Sequence, residues 1–480
     1  MSLFISSIFN RPLVFVFICI FFFTSLSFSQ NNDSLNQTLR IADIFISGNK
    51  VTKKNIITRE FTLNVGDTIN SKYLAENALR SQQNIFNTQL FIYDSVTYVV
   101  NLNSKTVDFN IKVKERWYII PTPLFEIQDR NFNQWWRTKD LFRINYGLAL
   151  DWNNFTGHRD NLSFVVRRGY SEKYGVSYSL PYVNKAQTIG INISYAYSRN
   201  NEVAYITEDN ILHFHRDYKK YMREQHEAKI GVSIRNHLYQ RSTVELLYNE
   251  THINDTIEKL NPDFFGNIRT KVGYFSLQYR FVFDKRDYKP YPLKGWTAEI
   301  GVTKDGLNFV YDESLNNLYA IASLKKFTPL SDRFFIANQI KGRYINTDYI
   351  PYYFNRGLGY NNDYIRGYEY YVIDGQSFAL IKNSLKYKLI KQHIVEVKAL
   401  KNRFSQFSTI PYSVYLTLNG DAGYVEDKFY GNKNSLNNKW QYGYGIGLDF
   451  VTFYDIVARF EFTFSKQMQS GFFISMSAGI

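Results

Sequence analysis

The sequence is poor in cysteine and in long hydrophobic runs. Cys19 is the single cysteine among 480 residues. If the N-terminal segment that contains it is removed, no disulfide framework, zinc–cysteine cluster or cysteine nucleophile can form within this chain. Beyond residues 13–23, no apolar run approaches the roughly 20 residues of a transmembrane helix. A helical membrane protein is therefore excluded, and any insertion into a membrane must use strands.

Residues 13–23 form the apolar part of a predicted secretory signal. Arg11 precedes the run and Ser27-Phe28-Ser29 follows it as a small-residue cleavage pattern, so we expect residues 1–29 to be removed before Gln30. The alternative, an uncleaved anchor, is disfavoured because the run is short for a span. A lipoprotein signal would need a small residue before Cys19, where Ile18 stands. The mature protein is expected to be exported.

Motifs that carry enzyme chemistry are also absent. The sequence has no G-x-S-x-G elbow, no G-x-x-x-x-G-K loop and no paired His/carboxylate motif, so hydrolase and nucleotide chemistry have no support. His213 and His215 are two residues apart, but no third ligand stands at a spacing that suits a metal. We therefore predict a protein that is not an enzyme and has no cofactor and no metal site.

Aromatic residues, in contrast, are abundant. The chain contains 40 Phe, 39 Tyr and 6 Trp, about twice the share of an ordinary globular protein, and this excess excludes a disordered chain. The 57 Lys and Arg against 43 Asp and Glu give a net charge of +14, which suits nucleic acid or anionic lipid. Because the basic pairs are scattered at predicted strand ends, we favour lipid headgroups and expect no nucleic-acid partner.

Residues 41–115 have a mixed pattern and follow a polar stretch at 30–40. The pattern predicts a strand, a turn at Gly48-Asn49, a short helix and then a longer helix capped by Ser71. Two alternating strands complete a small β-α-α-β-β domain. The buried face of the longer helix is predicted from Leu74, Ala78 and Leu79.

From residue 137 to residue 480 the pattern changes to short alternating segments separated by polar stretches. In residues 440–450 and 456–465, an apolar face alternates with a face that carries Gly, Arg, Glu and Asp. Each segment has about ten residues, the length of a tilted transmembrane strand. The apolar face of the last segment consists of Phe472, Ile474, Met476, Ala478 and Ile480.

This alternation predicts a mainly β fold: a 16-stranded antiparallel transmembrane β-barrel at residues 137–480, with a linker at 116–136 after the α+β domain. The first strand is expected near residues 141–151, where it would pair with residues 471–480. A soluble β-sandwich is the alternative, but it would seldom place charges opposite every apolar face. Only a closed barrel satisfies the backbone in lipid, and aromatic belts explain the excess of rings.

One connection in the barrel region is too long for a plain hairpin. It runs from residue 346 to residue 376, between the predicted eleventh and twelfth strands, and contains Ile365-Arg366-Gly367-Tyr368. Downstream, the segment with Asp421-Ala422-Gly423 places Asp421 on its polar face. A carboxylate is thus expected in the lumen.

These residues carry a resemblance to the BamA/TamA superfamily of outer-membrane assembly and secretion pores. The N-terminal unit is similar to its POTRA domain, the two segments above resemble its loop and strand signatures, and residues 284–295 resemble its D-x-R-D…P-x-x-G stretch. Glu115-Arg-Trp-Tyr and Gln134-Trp135-Trp136 are similar to sequences of Bacteroidetes members. The resemblance extends over nearly the whole mature chain in the expected order.

The resemblance implies that Arg366 pairs with Asp421 and pins the loop inside the lumen. A guanidinium and a carboxylate in a confined space form a charge-assisted pair. The residues alone would favour a solvated loop arginine, and only the resemblance favours the pair. Two features depart from the family. Lys386 stands where many members have a glutamate and could compete for Asp421, and the chain ends in Ile480 instead of an aromatic residue.

The function implied by the resemblance is assembly of outer-membrane proteins in a Gram-negative bacterium. A periplasmic POTRA domain would capture unfolded barrel clients by strand addition, and the seam between the first and last strands would admit them. Expected partners are these clients, outer-membrane lipids including lipopolysaccharide, and accessory lipoproteins. The alternatives are a pore that secretes one partner protein or moves a lipid, and a passive porin.

Overall fold

The structure is a computed structural model and describes residues 37–127, 139–307, 315–396, 409–452 and 456–476. The predicted signal segment, Gln134-Trp135-Trp136, Ala478 and Ile480 lie outside the described residues. Regular structure forms a small N-terminal α+β domain and one large antiparallel sheet. The predicted fold class is confirmed.

The N-terminal domain is a four-stranded sheet that packs against two helices. Its strand order is β2-β1-β4-β3, with β1 and β4 parallel, so β3 lies at an edge. The elements in chain order are β1 (Thr38–Ser47), α1 (Lys54–Thr58), β2 (Thr68–Asn70), a 3₁₀ turn (Ser71–Tyr73), α2 (Leu74–Phe86), β3 (Phe91–Asn101) and β4 (Thr106–Glu115).

Alternation along β4 builds the core of this domain, because every second side chain of a strand faces the helices. Val107, Phe109 and Ile111 are buried together with Ile85 of α2. Two details of the sequence prediction are wrong. The side chain of Asn70, and not that of Ser71, caps the 3₁₀ turn by accepting the N–H of Lys72. Leu79 is exposed, because the apolar stripe of α2 follows positions 74, 78 and 85.

A buried carboxylate lies on β3, on the side that faces α2. Asp94 is only 4% exposed, and its Oδ2 has no hydrogen-bond partner among the described residues. Burial raises the pKa of Asp94 to about 7. The folded domain therefore retains a proton that the unfolded chain releases near pH 4.

Asp94→Asn should stabilise the N-terminal domain at alkaline pH and have little effect in acid. Between pH 4 and 7 the folded state binds the extra proton, so stability falls by about 1.4 kcal/mol per pH unit as pH rises, and it levels off above pH 7. The uncharged amide removes this loss. Hydrogen exchange of the β3 and β4 amides at pH 4.5 and pH 8 measures the stability of the variant relative to the wild type at each pH. Equal protection of the two proteins at pH 8 would show that the buried acid costs no stability.

The large sheet contains 16 strands in one continuous order, and a separate hairpin, β10–β11, lies outside it. Its strands and the hairpin in chain order are β5 (Ile119–Ile127), β6 (Ile144–Asn153), β7 (Asn161–Gly169), β8 (Ser171–Leu180), β9 (Ile189–Asn200), β10 (Glu202–Glu208), β11 (Ile211–Arg216), β12 (Arg223–Ile234), β13 (Gln240–Ile253), β14 (Lys271–Asp284), β15 (Gly295–Asp305), β16 (Asn317–Pro329), β17 (Phe334–Asn346), β18 (Ser377–Glu396), β19 (Thr409–Glu426), β20 (Gln441–Thr452), β21 (Val457–Ser465) and β22 (Ser470–Met476).

Short helices occupy some of the connections. They are α3 (Asp255–Leu260) and the 3₁₀ turns Leu141–Arg143, Tyr352–Phe354 and Gly431–Lys433. None of the helices in the described part of the chain has the length and hydropathy needed to cross a bilayer.

The first strand of the sheet is β5, so two expectations are wrong. Residues 116–136 are not entirely a linker, and the strand expected first, near residues 141–151, corresponds to β6, the second strand. Pro121 and Pro123 explain the error. Proline cannot donate to a ladder and argues against a strand in a sequence, yet it is tolerated at a sheet edge.

The C-terminal strands have the predicted two faces. On β20, Tyr442, Ile446 and Leu448 are exposed on the outer face, whereas Gly443 and Asp449 are buried on the inner face. β21 and β22 follow the same rule as far as Met476. The outward aromatic and aliphatic side chains match a lipid-facing surface.

Candidate functional site

The connection between β17 and β18, residues 347–376, folds back against the inner face of the sheet. It joins the eleventh and twelfth strands, as predicted. Arg366 is 1% exposed and is the largest fully buried side chain in the described part of the chain. We call this connection the inner loop.

Two carboxylates surround the Arg366 guanidinium. Its Nη1 lies 3.3 Å from Asp421 Oδ1, and its Nε lies 3.2 Å from Glu461 Oε1. The backbone N–H of Arg366 also donates to Asp421 Oδ2 at 3.1 Å. The two side-chain contacts are ion pairs without the alignment of a hydrogen bond. Two buried carboxylates therefore share the Arg366 guanidinium.

Polar side chains of β18 and β19 connect these partners. Arg366 Nη1 donates to Ser384 Oγ at 3.3 Å, and Ser384 Oγ donates to Asn419 Oδ1 at 2.6 Å. Asn419 Nδ2 then donates to Glu461 Oε1 at 3.1 Å. Because residues two apart on a strand share a face, Asn419 and Asp421 both point at the loop. The network fixes the position of each carboxylate.

Glycines allow the loop backbone to approach the strands. Gly367 has φ +88°, and a Cβ there would lie 2.4 Å from Phe464 O. A Cβ on Gly443 would lie 1.7 Å from Arg366 O. Gly423 leaves space for Ile365, whose Cδ1 would lie 2.6 Å from an added Cβ. The glycines of the strand signature and of β20 thus form a socket for the loop signature.

Tyrosines of the inner loop extend its contacts toward the C-terminal end of the sheet. Tyr368 Oη lies 2.9 Å from the side-chain oxygens of Gln441 and Gln467. The hydroxyl of Tyr371 donates to Gln469 Oε1 at 2.7 Å. The rings of Tyr370 and Phe473 are 5.3 Å apart. Through these contacts the loop touches β20, β22 and the turn between β21 and β22.

Lys386 lies elsewhere on the inner face. The register partner of Asp421 is Lys382, and Lys386 Nζ sits 3.9 Å from the ring centroid of Tyr291. The Tyr291 hydroxyl donates to Asp449 Oδ2 at 2.8 Å, and Arg459 Nε donates to Asp449 Oδ1 at 2.8 Å. Tyr291 belongs to the β14–β15 connection, which enters the barrel from the side of the N-terminal domain. A second polar cluster therefore lies on the inner face, between the inner loop and the N-terminal domain.

The N-terminal domain is attached to the barrel through a buried ion pair. Arg235, in the β12–β13 turn, donates to both carboxylate oxygens of Glu60, at 2.5 and 2.7 Å. Tyr182 and Arg159 complete the surroundings of Glu60. Burial alone would raise the pKa of Glu60, but Arg235, together with Arg159 and Arg59, outweighs burial and holds that pKa below its ordinary value. Docking therefore favours the charged form.

Further contacts place α2 and the turn before α1 against the same side of the barrel. Arg80 Nε donates to Tyr239 Oη at 2.9 Å, and Asn87 Nδ2 donates to the carbonyl of Asp287 at 2.9 Å. At the predicted Gly48-Asn49 turn, Gly48 has φ +91° and Asn49 Nδ2 donates to Thr52 O at 2.9 Å. Asn154 Nδ2 donates to Thr52 Oγ1 at 2.9 Å. The turn thus lies at the junction of the two domains.

Comparison with protein families matches both parts of the chain. Residues 39–116 match the POTRA family, described as a surface antigen variable number repeat, and residues 154–471 match the Omp85 superfamily domain. The chain belongs to the Omp85 superfamily. The BamA/TamA resemblance seen in the sequence is therefore confirmed.

Solved structures share the fold of this Omp85 chain at low identity. BamA from Haemophilus ducreyi lacking POTRA domains 1–3 has a TM-score of 0.50 and 14% identity, with 92% of this chain and 84% of that chain covered. CdiB from Escherichia coli has a TM-score of 0.53 and 12% identity, with 92% and 76% covered. No curated protein matches the sequence significantly.

Sequence reasoning identified part of the site of this Omp85 barrel. The structure brings Ile365, Arg366, Gly367 and Tyr368 together with Asp421 and Gly423. It adds Glu461, which the alternation of β21 had already placed on the inner face. The pairing of Glu461 with Arg366 joins residues 95 positions apart on the loop and on β21, so no local pattern could show it. Tyr291 and Asp449 were missed for the same reason.

Proposed function

We propose that this Omp85 chain captures extended segments of unfolded outer-membrane proteins along β3 and helps them insert at the barrel seam. Membership of the superfamily supports insertion or translocation at the outer membrane. The observation that carries the finer proposal is the edge of β3. This strand has 11 residues and pairs only with β4 among the described residues.

Docking of the N-terminal domain leaves this edge accessible. The contacts to the barrel come from α2 and from residues beside the two helices, at Thr52, Glu60, Arg80 and Asn87, whereas β3 makes no hydrogen bond or ion pair to the barrel within the described ranges and lies at an edge of its sheet. Tyr93, Tyr98 and Val99 are exposed on it. An unpaired strand edge with exposed apolar side chains is suited to strand addition. The domain would face the periplasm in this arrangement.

The terminal strands of the large sheet support the seam. β5 and β22 end the strand order, and no ladder joins them within the described ranges. Pro121 and Pro123 lie on β5 and lack an N–H, and proline in a sheet places that missing donor at a free edge. A pairing partner of β5 would therefore lose two hydrogen bonds. A weak junction at this point is what client entry requires.

Depletion of the chain followed by quantitative outer-membrane proteomics tests the proposal. We expect a broad loss of barrel proteins, restored by the wild-type chain and not by Val99→Lys, because a lysine blunts an edge strand. Phe45→Lys is the matched control, since Phe45 is 53% exposed and Val99 62%, and β1 is an interior strand. Loss of one secreted protein would instead identify a dedicated exporter, and no change a porin.

A further inference from the structure

Arginine side chains crowd the inner face of the barrel next to the docked N-terminal domain. The β12–β13 ladder ends at Ile234 and Ser242, so the next position along the two strands places Arg235 opposite Arg241. Val244 is exposed on the outer face, and alternation along β13 therefore turns Arg241 inward. Because like charges on directly opposite residues repel each other, this pair is destabilising unless anions compensate it.

Only one arginine of this pair has its own acid. Arg235 donates to Glu60 and to the Leu238 carbonyl, both at 2.7 Å. Arg241, in contrast, is exposed and makes no hydrogen bond or ion pair in the described part of the chain. The charges that act on it most strongly are those of Arg159 and Arg235. An inward arginine therefore borders open space and faces two other cations.

Two connections beside this pair contribute further cations. Arg159, in the β6–β7 turn, reaches Glu60 through Nη1 alone, at 3.4 Å. Lys289, in the β14–β15 connection, lies 3.9 Å from Asp284 Oδ2, an acid that Arg286 already holds at 2.8 Å. Burial, together with the charge of Arg159, lowers the pKa of Lys289 to about 8. Both side chains retain donors that could serve an anion.

The acids that face the interior at this end of the barrel already have partners among the described residues. Asp287 accepts the N–H of Leu293 at 3.1 Å, and burial raises its pKa. The other pairs are Glu60 with Arg235, Asp151 with Ser163, Glu245 with Asn192, Asp284 with Arg286, Glu299 with Arg280 and Asp449 with Arg459. Arg241 is left without an acid of its own, and Arg159 and Lys289 share theirs with a second base. We call Arg159, Arg241 and Lys289 the basic cluster.

We infer that the basic cluster binds a phosphate group, either as the free anion or as part of a lipid headgroup. Guanidinium groups match phosphate oxygens with paired N–H donors, and a lysine adds a point charge. A phosphate monoester has three acceptor oxygens and a charge between about −1.5 and −2 near pH 7, so one group can serve cations from three elements. A carboxylate, with one charge and two oxygens, would leave part of the cluster uncompensated. The site is separate from client capture on β3, because the whole basic cluster belongs to the barrel.

The test measures binding by calorimetry to the full-length protein in dodecyl maltoside, an uncharged detergent. Ionic strength is held constant with sodium chloride, because salt screens exposed charges. The probes are inorganic phosphate, dihexanoyl phosphatidic acid and an eight-residue peptide that alternates Val with Asp. Dihexanoyl phosphatidylcholine corrects for partition of lipid into the detergent.

We expect one phosphate group to bind per chain with a Kd of about 1 mM or less. Arg241→Gln should weaken this binding about tenfold, because it removes a charged donor, and Lys289→Gln, on a different element, should weaken it in the same direction. Arg280→Gln is the matched control, since Arg280 is also inward and its side chain is 49% exposed, and it should leave the affinity unchanged. Heat-resistant migration shows that the barrel of each variant is folded.

The relative affinities of the two phosphate probes identify the source of the ligand. A similar Kd for both supports free phosphate, and a phosphatidic acid bound at least tenfold more tightly supports a lipid headgroup. Three results would refute the site: no saturable binding of either phosphate probe, equal affinities in wild type and Arg241→Gln, or an equal loss in Arg280→Gln. A peptide that binds more tightly than both phosphate probes would show that the cluster serves an acidic protein segment and not phosphate.

Discussion

Replacing Arg366 by alanine should lower the free energy of unfolding of the barrel by about 3–5 kcal/mol, the usual effect of removing one partner from a buried ion pair. The side chains of Asp421 and Glu461 are 0% and 3% exposed, so both charges would lose their contact with the guanidinium, and the buried Lys382 beside Asp421 would be left facing two carboxylates. Urea unfolding in detergent, followed by tryptophan fluorescence, measures the change. We also expect loss of client assembly, because the loop would no longer hold the last strands.

Two controls separate electrostatics from loss of packing. Asp421→Asn with Glu461→Gln, added to Arg366→Ala, should recover much of the lost stability because neither carboxylate is then left buried without its guanidinium. Arg280→Ala is the matched inner-face arginine, whose contact with Glu299 at 3.7 Å is half exposed and should matter by less than about 1 kcal/mol. If Arg366→Ala unfolded at the same urea concentration as the wild type, the proposal that Arg366 pins the inner loop would be wrong.

Replacing Glu60 by alanine should release the N-terminal domain from the barrel. Glu60 and Arg235 are both buried and share two hydrogen bonds, so removal of the acid leaves a buried guanidinium and weakens docking by about 3–5 kcal/mol. Spin labels at Lys105→Cys and Lys185→Cys report the distance between the domains. The chain suits this experiment because its only cysteine, Cys19, lies in the predicted signal segment. We expect one narrow distance in wild type and a broad distribution in Glu60→Ala.

The same spin labels also test how docking depends on pH, and the lowered pKa of Glu60 fixes the direction of the expected change. The pKa of Glu60 is held below its ordinary 4.5 in the docked state. The ion pair therefore stabilises docking fully above that ordinary value and loses its effect as pH falls through the lowered pKa. Wild type should keep its narrow distance at pH 6 and broaden only well below pH 4.5. Glu76→Ala, an exposed acid on α2, should behave as wild type; a Glu60→Ala distribution as narrow as wild type would refute the anchor.

Contacts continue from the N-terminal domain into the barrel. Asn87 holds the carbonyl of Asp287 in the β14–β15 connection, and four residues later Tyr291 binds Asp449 on β20. The inner loop contacts the same face of β20 nearer the other end of the strand, where the Arg366 carbonyl lies against Gly443. β20 is therefore held at both ends. Residues 284–295, which resemble the D-x-R-D…P-x-x-G stretch, supply the attachment at Asp449.

Sequence by itself determined the alternating faces and the inward position of Asp421, because a strand has a period of two and each of these features is local. The sequence also contains alternating glycines on β20, and these leave the space that the folded-back loop needs. Local rules failed at β5, where Pro121 and Pro123 concealed an edge strand.

Tertiary structure alone decided which inward charges meet. Glu461 joins Arg366, Lys386 turns to Tyr291, and Glu60 meets Arg235, which is 175 residues away in the chain. Each pairing depends on where a loop or a domain is placed after the sheet has curved, and side-chain type cannot specify that. The length of β18 and β19 beyond their neighbours is likewise a property of the assembled sheet, since an edge is free only in relation to the strand beside it.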